Sequence, residues 1–392
     1  MSTILVINES PGITLDNVGV ATEKRCAATP ATVKKMKLAN AKVLVESGAG
    51  KLAGYLDAEY EQAGAELVSD RKAAIEVADI ILYVTRPSEA DIALLRAGKL
   101  VVGHLDPFFE KSLIEKLVAK SVGLISMEMI PRTTRSQKMD ALSSQSNLAG
   151  YVMVMNAVHQ LSTILPMMMT PSGTIKPAKV FIIGAGVAGL QAIATAKRLG
   201  ASVLAFDTRE VVAEQVESLG AKFLKIDLGE TGQTKDGYAN ALSPEQVEKQ
   251  KAGQKQAIAD ADIVITTAKL FGRKPPVIVT KDMVEAMKPG SVVVDMAAEM
   301  GGNVEGSVPG EVSQINGVHI VGTGNWENQV AKDATAMYSN NVFNLLDEYW
   351  DTEKGEIAID FDDDILTSCV IAYDGQLRNE MLINHYQTLQ GE

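Results

Sequence analysis

In the segment Phe181-Ile182-Ile183-Gly184-Ala185-Gly186-Val187-Ala188-Gly189, three glycines spaced G-x-G-x-x-G follow an apolar run. The run predicts a buried strand, and Leu190–Leu199 has the composition and apolar spacing of a helix. Gly184 permits a tight turn, Gly186 lets the backbone approach a pyrophosphate, and Gly189 lets helix and strand pack closely. The N–H groups at the helix start favour phosphate. The segment therefore predicts a dinucleotide-binding turn, with an ordinary strand-to-helix turn as the alternative.

An acidic residue follows the next predicted strand. Ser202–Phe206 ends in Asp207, where a carboxylate can accept hydrogen bonds from both hydroxyls of the adenosine ribose. The same carboxylate would repel the 2′-phosphate of NADP, so the position favours NAD. Arg209 is either a group that can accept that phosphate or a solvated surface charge.

Composition limits the classes of function. The chain has 392 residues, which predicts two domains, and a net charge of −12, which argues against nucleic acid or an anionic membrane surface as a direct partner. Cys26 and Cys369 are far apart and have no metal-ligand spacing, so no metal site is predicted, and the pattern suits a reducing cytoplasm. No signal peptide is predicted. The apolar segment Tyr151–Met169 carries too many polar residues to cross a bilayer and is interpreted as a core helix.

Short apolar runs alternate with helical stretches along most of the chain, which indicates parallel strands with crossover helices. The predicted fold class is α/β, with two Rossmann-like parallel-sheet domains separated by a cleft. The first domain comprises residues 1–143 plus about 328–392, and the second, which binds NAD(H), comprises residues 144–327. Strands at Glu356–Phe361 and Leu366–Tyr373 are expected to pack back on the first domain. Gly229–Gly253 is predicted to be a long functional loop, within a mobile region of about residues 227–253.

The segment from Met129 to Tyr151 reads MIPRTTRSQKMDALSSQSNLAGY. It closely resembles the NAD(H)-binding component, domain I, of the proton-translocating NAD(P) transhydrogenases (alpha-type subunit), a family related to the alanine dehydrogenases. Other segments share the resemblance, which extends over nearly the whole chain: Glu23–Arg25, Ala28–Pro30, Met167–Thr170, Gly184–Leu199, Glu214–Gly220, Lys288–Ser291 and Gly301–Asn303.

The resemblance implies that a loop from Arg132 to Ser143 holds the nicotinamide half of NAD(H), with Arg132, Gln137 and Asp140 as the catalytic residues. An arginine can donate in a fork, and amide, carboxylate and hydroxyl groups can bind a carboxamide or a sugar. The alternative is a polar surface loop with a helix cap at Ser143 or Ser144. The implied cofactor-binding residues are Arg132, Gln137, Asp140, Ser143, Gly184, Gly186, Val187, Gly189, Asp207, Thr208, Arg209, Gly237, Tyr238, Gln250 and Ala268.

In the family, a tyrosine on a mobile lid folds over the nucleotide, and Gly237-Tyr238 matches that position, with Gln250 further along. The alternative is that Tyr238 packs as a hydrophobic contact on the domain surface. The resemblance also implies direct hydride transfer from NADH to NADP+, the NADP(H) being bound by a partner beta-type subunit. Further implications are proton translocation by a separate membrane-spanning subunit, activity only with these partners, a homodimer, and a cytoplasmic protein peripheral on the inner membrane.

Two other functions remain open. An amino-acid oxidoreductase similar to alanine dehydrogenase would use His104 as an acid or base and Arg25 for the substrate carboxylate. Its catalytic lysine is expected in the segment Val84–Pro87, where this chain has Thr85, and transhydrogenases also have an arginine at the position of Arg25. The third possibility is a nucleotide-sensing protein without turnover.

Overall fold

The computed structural model describes residues 1–11, 13–15, 19–229, 231–232, 240 and 242–389. It divides into two compact units. Unit 1 contains the chain up to Gln145 together with the chain from Val330 onward, and unit 2 contains Ser146–Gln329.

The strands are β1 (Thr3–Val6), β2 (Ile13–Leu15), β3 (Gly19–Ala21), β4 (Lys42–Glu46), β5 (Glu66–Val68), β6 (Ile80–Leu82), β7 (Leu100–Gly103), β8 (Gly123–Ser126), β9 (Met168–Thr170), β10 (Gly173–Ile175), β11 (Lys179–Ile183), β12 (Ser202–Phe206), β13 (Lys222–Phe223), β14 (Ile263–Thr266), β15 (Val292–Asp295), β16 (Val312–Ile315), β17 (Val318–Val321), β18 (Trp350–Asp351), β19 (Glu356–Ile357), β20 (Val370–Tyr373) and β21 (Gln376–Leu377).

The α-helices are α1 (Pro30–Leu38), α2 (Asp57–Gln62), α3 (Arg71–Val77), α4 (Glu89–Leu94), α5 (Lys111–Ala119), α6 (Ala141–Gln160), α7 (Val187–Arg198), α8 (Ala213–Ser218), α9 (Pro244–Asp260), α10 (Lys281–Glu285), α11 (Ala331–Glu348), α12 (Asp364–Cys369) and α13 (Glu380–Thr388). Within the described ranges, no helix is long and apolar enough to span a membrane.

Unit 1 is built on an eight-stranded sheet with the order β21-β20-β8-β7-β6-β1-β4-β5. The strands from β8 to β5 are parallel, and most of their side chains are buried hydrophobic residues, as a sheet covered on both faces requires. β20 joins the β8 edge in the antiparallel direction, with Val370 opposite Ile125. The C-terminal part of the chain therefore completes the sheet that the N-terminal part begins.

Unit 2 is built on a seven-stranded sheet with the order β13-β12-β11-β14-β15-β17-β16, parallel except for the antiparallel edge strand β16. The chain proceeds outward from β11 through β12 to β13, and then returns to β14 on the other side of β11. Such a reversal opens a crevice at the carboxyl ends of the central strands, where ligands of this fold class bind. The predicted α/β class is confirmed, with antiparallel strands added at the sheet edges.

Two predicted elements were wrong. Residues 244–253 were expected to belong to a long loop, but they begin α9. Ser243 caps this helix in a reciprocal capping box with Gln246, and Pro244 occupies its first turn. Residues 366–369 were expected in a strand, but they belong to α12, because Asp363 accepts hydrogen bonds from the amides of Ile365 and Leu366 and starts a helix there.

Candidate functional site

The glycine turn in unit 2 has the geometry that its spacing predicts. Gly184 has φ +101°, in the region that favours glycine, and a Cβ there would lie 2.3 Å from Oγ1 of Thr267. A Cβ on Gly189 would lie 1.9 Å from the carbonyl oxygen of Gly184, so the packing of α7 against the turn requires glycine. A Cβ on Gly186 would meet no atom within 4 Å. The space beside Gly186 is therefore open at the start of α7.

The start of α7 can hold an anion. Gly186 is the N-cap residue and provides no side-chain cap, and Val187 is the first helical residue. The first amides of a helix have no partner within the helix, and its dipole is positive at this end. The open space beside Gly186 and these amides fit a pyrophosphate, as the glycine spacing predicted.

Asp207 lies at the carboxyl end of β12, next to the glycine turn, and is 8% exposed. Its Oδ2 accepts a hydrogen bond of 2.8 Å from the amide of Ala185, in the turn itself. Arg209 binds both carboxylate oxygens through its side chain, and its backbone amide also donates to Oδ1 at 2.9 Å. This hydrogen bonding raises the pKa of Arg209. The interpretation of Arg209 as a solvated surface charge was wrong.

Residues from later strands fix the turn from the other side. The hydroxyl of Thr267, just after β14, donates to the carbonyl oxygens of Ile183 and Gly184 at 3.3 and 3.2 Å. Asn303 holds the carbonyl oxygen of Ala268 through Nδ2 at 3.2 Å. The backbone amide of Asn303 in turn donates to the carboxylate of Asp295, a carboxyl whose pKa burial raises. The sequence analysis missed Thr267, Asn303 and Asp295 as supporting residues, although Asp295 and Thr267 lie at strand ends, where such groups are expected.

Three of the predicted nucleotide contacts do not belong to this turn. Gln250 lies on α9, where it is 6% exposed, and not on a loop. Gly237 and Tyr238 lie outside the described residues, so the lid and its tyrosine stay predictions.

In unit 1, Asp140 caps helix α6. Its Oδ1 accepts a hydrogen bond of 2.8 Å from the amide of Ser143, and its Oδ2 accepts one of 2.5 Å from the hydroxyl of Ser143. The expected cap at Ser143 or Ser144 was therefore displaced to Asp140, since a carboxylate three residues before an amide is well placed to bind it. Arg132 Nε lies 3.9 Å from Asp140 Oδ2, an ion pair without hydrogen-bond contact.

Gln137 begins a short 3₁₀ turn, Gln137–Met139, between Arg132 and Asp140. Its side chain is exposed, whereas Met139 at the end of the turn is fully buried. The Arg132–Ser143 loop therefore brings Arg132, Asp140 and Ser143 together and leaves Gln137 available to a second molecule.

A second cluster in unit 1 contains the residues that an amino-acid oxidoreductase would use. Nε and Nη2 of Arg25 donate to the carboxylate of Glu23, and Nη1 donates to Oε1 of Gln145 at 2.9 Å. Although burial opposes it, Arg25 holds the pKa of Glu23 below its usual range. Arg25 is therefore engaged by groups of this chain.

Thr85 and His104 are also engaged. The hydroxyl and amide of Thr85 donate to Oε1 of the buried Glu9 at 2.6 and 2.9 Å. Burial, with a smaller effect of Glu23, raises the pKa of Glu9 to about 7. His104 Nδ1 contacts the carbonyl oxygen of Val84 at 3.1 Å, and its ring lies 5.2 Å from that of Tyr338. These contacts are what a structural residue at a strand end makes.

The chain matches the family models described as "Alanine dehydrogenase/PNT, N-terminal domain" over residues 19–149 and "Alanine dehydrogenase/PNT, C-terminal domain" over residues 153–380. It is 40% identical over 362 residues to the first of the NAD(P) transhydrogenase subunit alpha polypeptides of Rhodospirillum rubrum, covering 91% of this chain and 94% of that protein. The structure of a transhydrogenase from Sinorhizobium meliloti superposes with a TM-score of 0.83 at 40% identity, covering 96% of this chain and 99% of that one.

Alanine dehydrogenase of Halomonas elongata is more distant, with 28% identity over 366 residues and 91% of each chain covered. The resemblance found in the Arg132–Ser143 loop and the glycine turn is thus confirmed over nearly the full length. The chain belongs to the alanine dehydrogenase/PNT family, with greater similarity to its transhydrogenase alpha subunits than to this alanine dehydrogenase.

Proposed function

We propose that this chain is the NAD(H)-binding component of a proton-translocating NAD(P) transhydrogenase, and that hydride passes directly between NADH bound here and NADP+ bound on a partner subunit. The observation that carries the NAD(H) assignment is the open space beside Gly186 at the start of α7, next to the carboxylate of Asp207. The 40% identity to a transhydrogenase alpha subunit supports the choice of reaction.

In this proposal the first amides of α7 bind the pyrophosphate, and Asp207 accepts hydrogen bonds from the adenosine ribose. Val187, Thr208, Arg209, Gln250 and Ala268 complete the adenosine side, and Gly237 and Tyr238 cover it. Ser143 and Asp140 order the loop that holds the nicotinamide, where Arg132 binds and Gln137 reaches toward the second nucleotide. NADH supplies the hydride, so the chain needs to orient the ring and exclude water rather than exchange a proton.

The occupied cluster in unit 1 favours this reaction over amino-acid oxidation. An oxidoreductase acting on alanine needs a cation for the substrate carboxylate, whereas Arg25 is engaged by Glu23 and Gln145. It also needs a proton-transferring amine, whereas the corresponding segment has Thr85, whose hydroxyl donates to Glu9.

The partners follow from the same proposal. They are a beta-type subunit that binds NADP(H) and a membrane-spanning subunit that translocates protons, so that this chain is a peripheral protein on the cytoplasmic side of the inner membrane. A homodimer is proposed on the resemblance alone.

The test is to mix the purified chain with the NADP-binding component and to follow hydride exchange between NADH and NADP+ by stopped-flow absorbance. Transfer that requires both proteins supports the proposal. NADH oxidation with alanine-derived products, or nucleotide binding with no transfer in the presence of the partner, would assign the chain to one of the other two functions.

A further inference from the structure

We propose that Asn341 and Asn344 on α11 are positioning residues for hydride transfer, because their carboxamides fix the turn that presents Gln137. This inference rests on the proposed function. Neither side chain was predicted to belong to the site, and neither is proposed to touch a nucleotide.

Both carboxamides bind one backbone atom of the Arg132–Ser143 loop. Nδ2 of Asn341 and Nδ2 of Asn344 each donate to the carbonyl oxygen of Lys138 at 3.0 Å. The two asparagines are three residues apart on α11, a spacing that places them on the same face of the helix. The Lys138 carbonyl, one residue after Gln137, is thus held by two donors from a rigid element.

Asn341 also binds the other side of the loop. Its Oδ1 accepts a hydrogen bond of 2.7 Å from the hydroxyl of Ser144, in the first turn of α6. One carboxamide therefore connects the 3₁₀ turn that contains Gln137 with the helix that Asp140 caps. Because Asn341 is only 7% exposed, loss of either hydrogen bond would leave buried polar groups without partners.

The turn needs this external support. A 3₁₀ turn of three residues has little intrinsic stability, since its hydrogen bonds are poorly aligned. The other attachment of Lys138 is an ion pair of 2.7 Å to Glu348, whose two side chains are 47% and 27% exposed. Exposed pairs of this kind contribute little and are screened by salt. The two asparagines are therefore the contacts that set where Gln137 points.

Helix stability does not explain the asparagines, because asparagine is among the weaker helix-forming residues. Asn340, next to Asn341, provides the matched comparison. It is exposed, and its Nδ2 donates to the carbonyl oxygen of Ala336 on its own helix, so that donor is not directed at the loop. The same substitution at Asn340 and Asn344 changes the charge of α11 equally and differs in its effect on the Lys138 carbonyl.

The experiment compares Asn344→Asp, Asn341→Ser and the control Asn340→Asp in the full chain. NADH affinity is measured on the isolated chain, and single-turnover hydride transfer is measured with the NADP-binding component at saturating nucleotide. Amide hydrogen exchange of residues 137–140 reports the turn directly. We expect native NADH affinity, faster exchange at the turn and transfer slowed by about tenfold or more in both site variants, since a 1 Å misplacement can cost about 100-fold. The control should behave as the native chain.

Three outcomes overturn the proposal. If the native chain transfers hydride and both site variants do so at the native rate, the asparagines do not position the turn. The same holds if their transfer falls only in proportion to lost NADH affinity, or if Asn340→Asp slows transfer equally. Absence of transfer by the native chain with an active partner is a different result, because it overturns the proposed function itself.

Discussion

The guanidinium of Arg209 and the carboxylate of Asp207 form a two-point ion pair, with Nε 2.9 Å from Oδ1 and Nη2 2.8 Å from Oδ2. Both side chains are largely buried, at 12% and 6% exposure. The cation that could attract a 2′-phosphate is therefore held by the anion that repels one. Nucleotide choice at this position is a property of the pair rather than of either residue.

Replacing the carboxylate by its isosteric amide (Asp207→Asn) should change both affinities. NADH binding should weaken by about 1–3 kcal/mol, the range for losing a charged hydrogen-bond partner. NADPH binding should improve, because Arg209 is released to pair with the 2′-phosphate. Calorimetric titration of the isolated chain measures both, and the double variant Asp207→Asn with Arg209→Gln should lose the gain for NADPH. Equal affinity of the native chain for NADH and NADPH would contradict the assignment.

Two glycine substitutions should separate binding from stability. Gly186→Ala places a methyl group in open space, so it should leave the fold nearly unchanged but weaken NADH binding, since the pyrophosphate is expected in that space. Gly189→Ala places a Cβ 1.9 Å from the Gly184 carbonyl oxygen and should lower the free energy of unfolding by about 1–3 kcal/mol, as overpacking does. Thermal unfolding without nucleotide, followed by NADH titration, distinguishes them. Unchanged NADH affinity in folded Gly186→Ala would remove the pyrophosphate from this turn.

Gln137→Asn should leave NADH binding almost unchanged, because the adenosine and pyrophosphate contacts are expected elsewhere. It should slow transfer to NADP+ strongly, on the order of 100-fold for a displacement of about 1 Å between the reacting carbons. Single-turnover absorbance with the NADP-binding component provides the rate. A native rate in this variant would show that the exposed Gln137 side chain is not at the reaction centre.

Alanine with NAD+ should give no NADH. The physical reason is that Arg25 is engaged by Glu23 and Gln145, and that Thr85 provides no amine. A sensitive fluorescence assay on the purified chain, with an authentic alanine dehydrogenase as positive control, is sufficient. Alanine-dependent NADH formation that is absent from an Arg25→Gln variant would reverse the choice of reaction.

Glu9 should make the stability of unit 1 depend on pH. Its pKa is about 7 in the folded chain against an ordinary value of 4.5, so between these pH values the folded chain keeps a proton that the unfolded chain has lost. The free energy of unfolding should therefore fall by up to about 1.4 kcal/mol per pH unit from pH 4.5 to 7 and receive no further change from Glu9 above pH 7.

Thr85→Val removes the hydroxyl that donates to Glu9 and should raise that pKa further, so its destabilisation should grow between about pH 5 and pH 8. Thr85→Ser, which keeps the hydroxyl, is the control. Urea unfolding can be followed by Trp350, which lies in unit 1, in a Trp326→Phe background. Other buried carboxyls such as Glu128 are the same in both variants, so parallel pH profiles for the two variants would exclude the linkage.

Local patterns predicted the parts of this molecule that depend on local spacing. The glycine turn, its strands and Asp207 lie within about 30 residues, a distance over which residue type determines backbone geometry. Thr267, Asn303 and Asn341 could not be found in this way, because each acts on a segment that is distant in sequence. Helix α9 had a local signal, the capping box of Ser243 and Gln246, but the glycines before it suggested a loop.

The order in which the sheets close has a consequence for synthesis on the ribosome. Unit 2 is, apart from a few N-terminal residues, one continuous segment, Ser146–Gln329, and can form its sheet as soon as that segment has emerged. Unit 1 cannot, because β8 lacks its neighbour until β20, about 245 residues later, has been made. During that interval the β8 edge exposes unpaired backbone groups, a hazard for association with other chains. We therefore expect this edge to be the part of the nascent protein most dependent on chaperones.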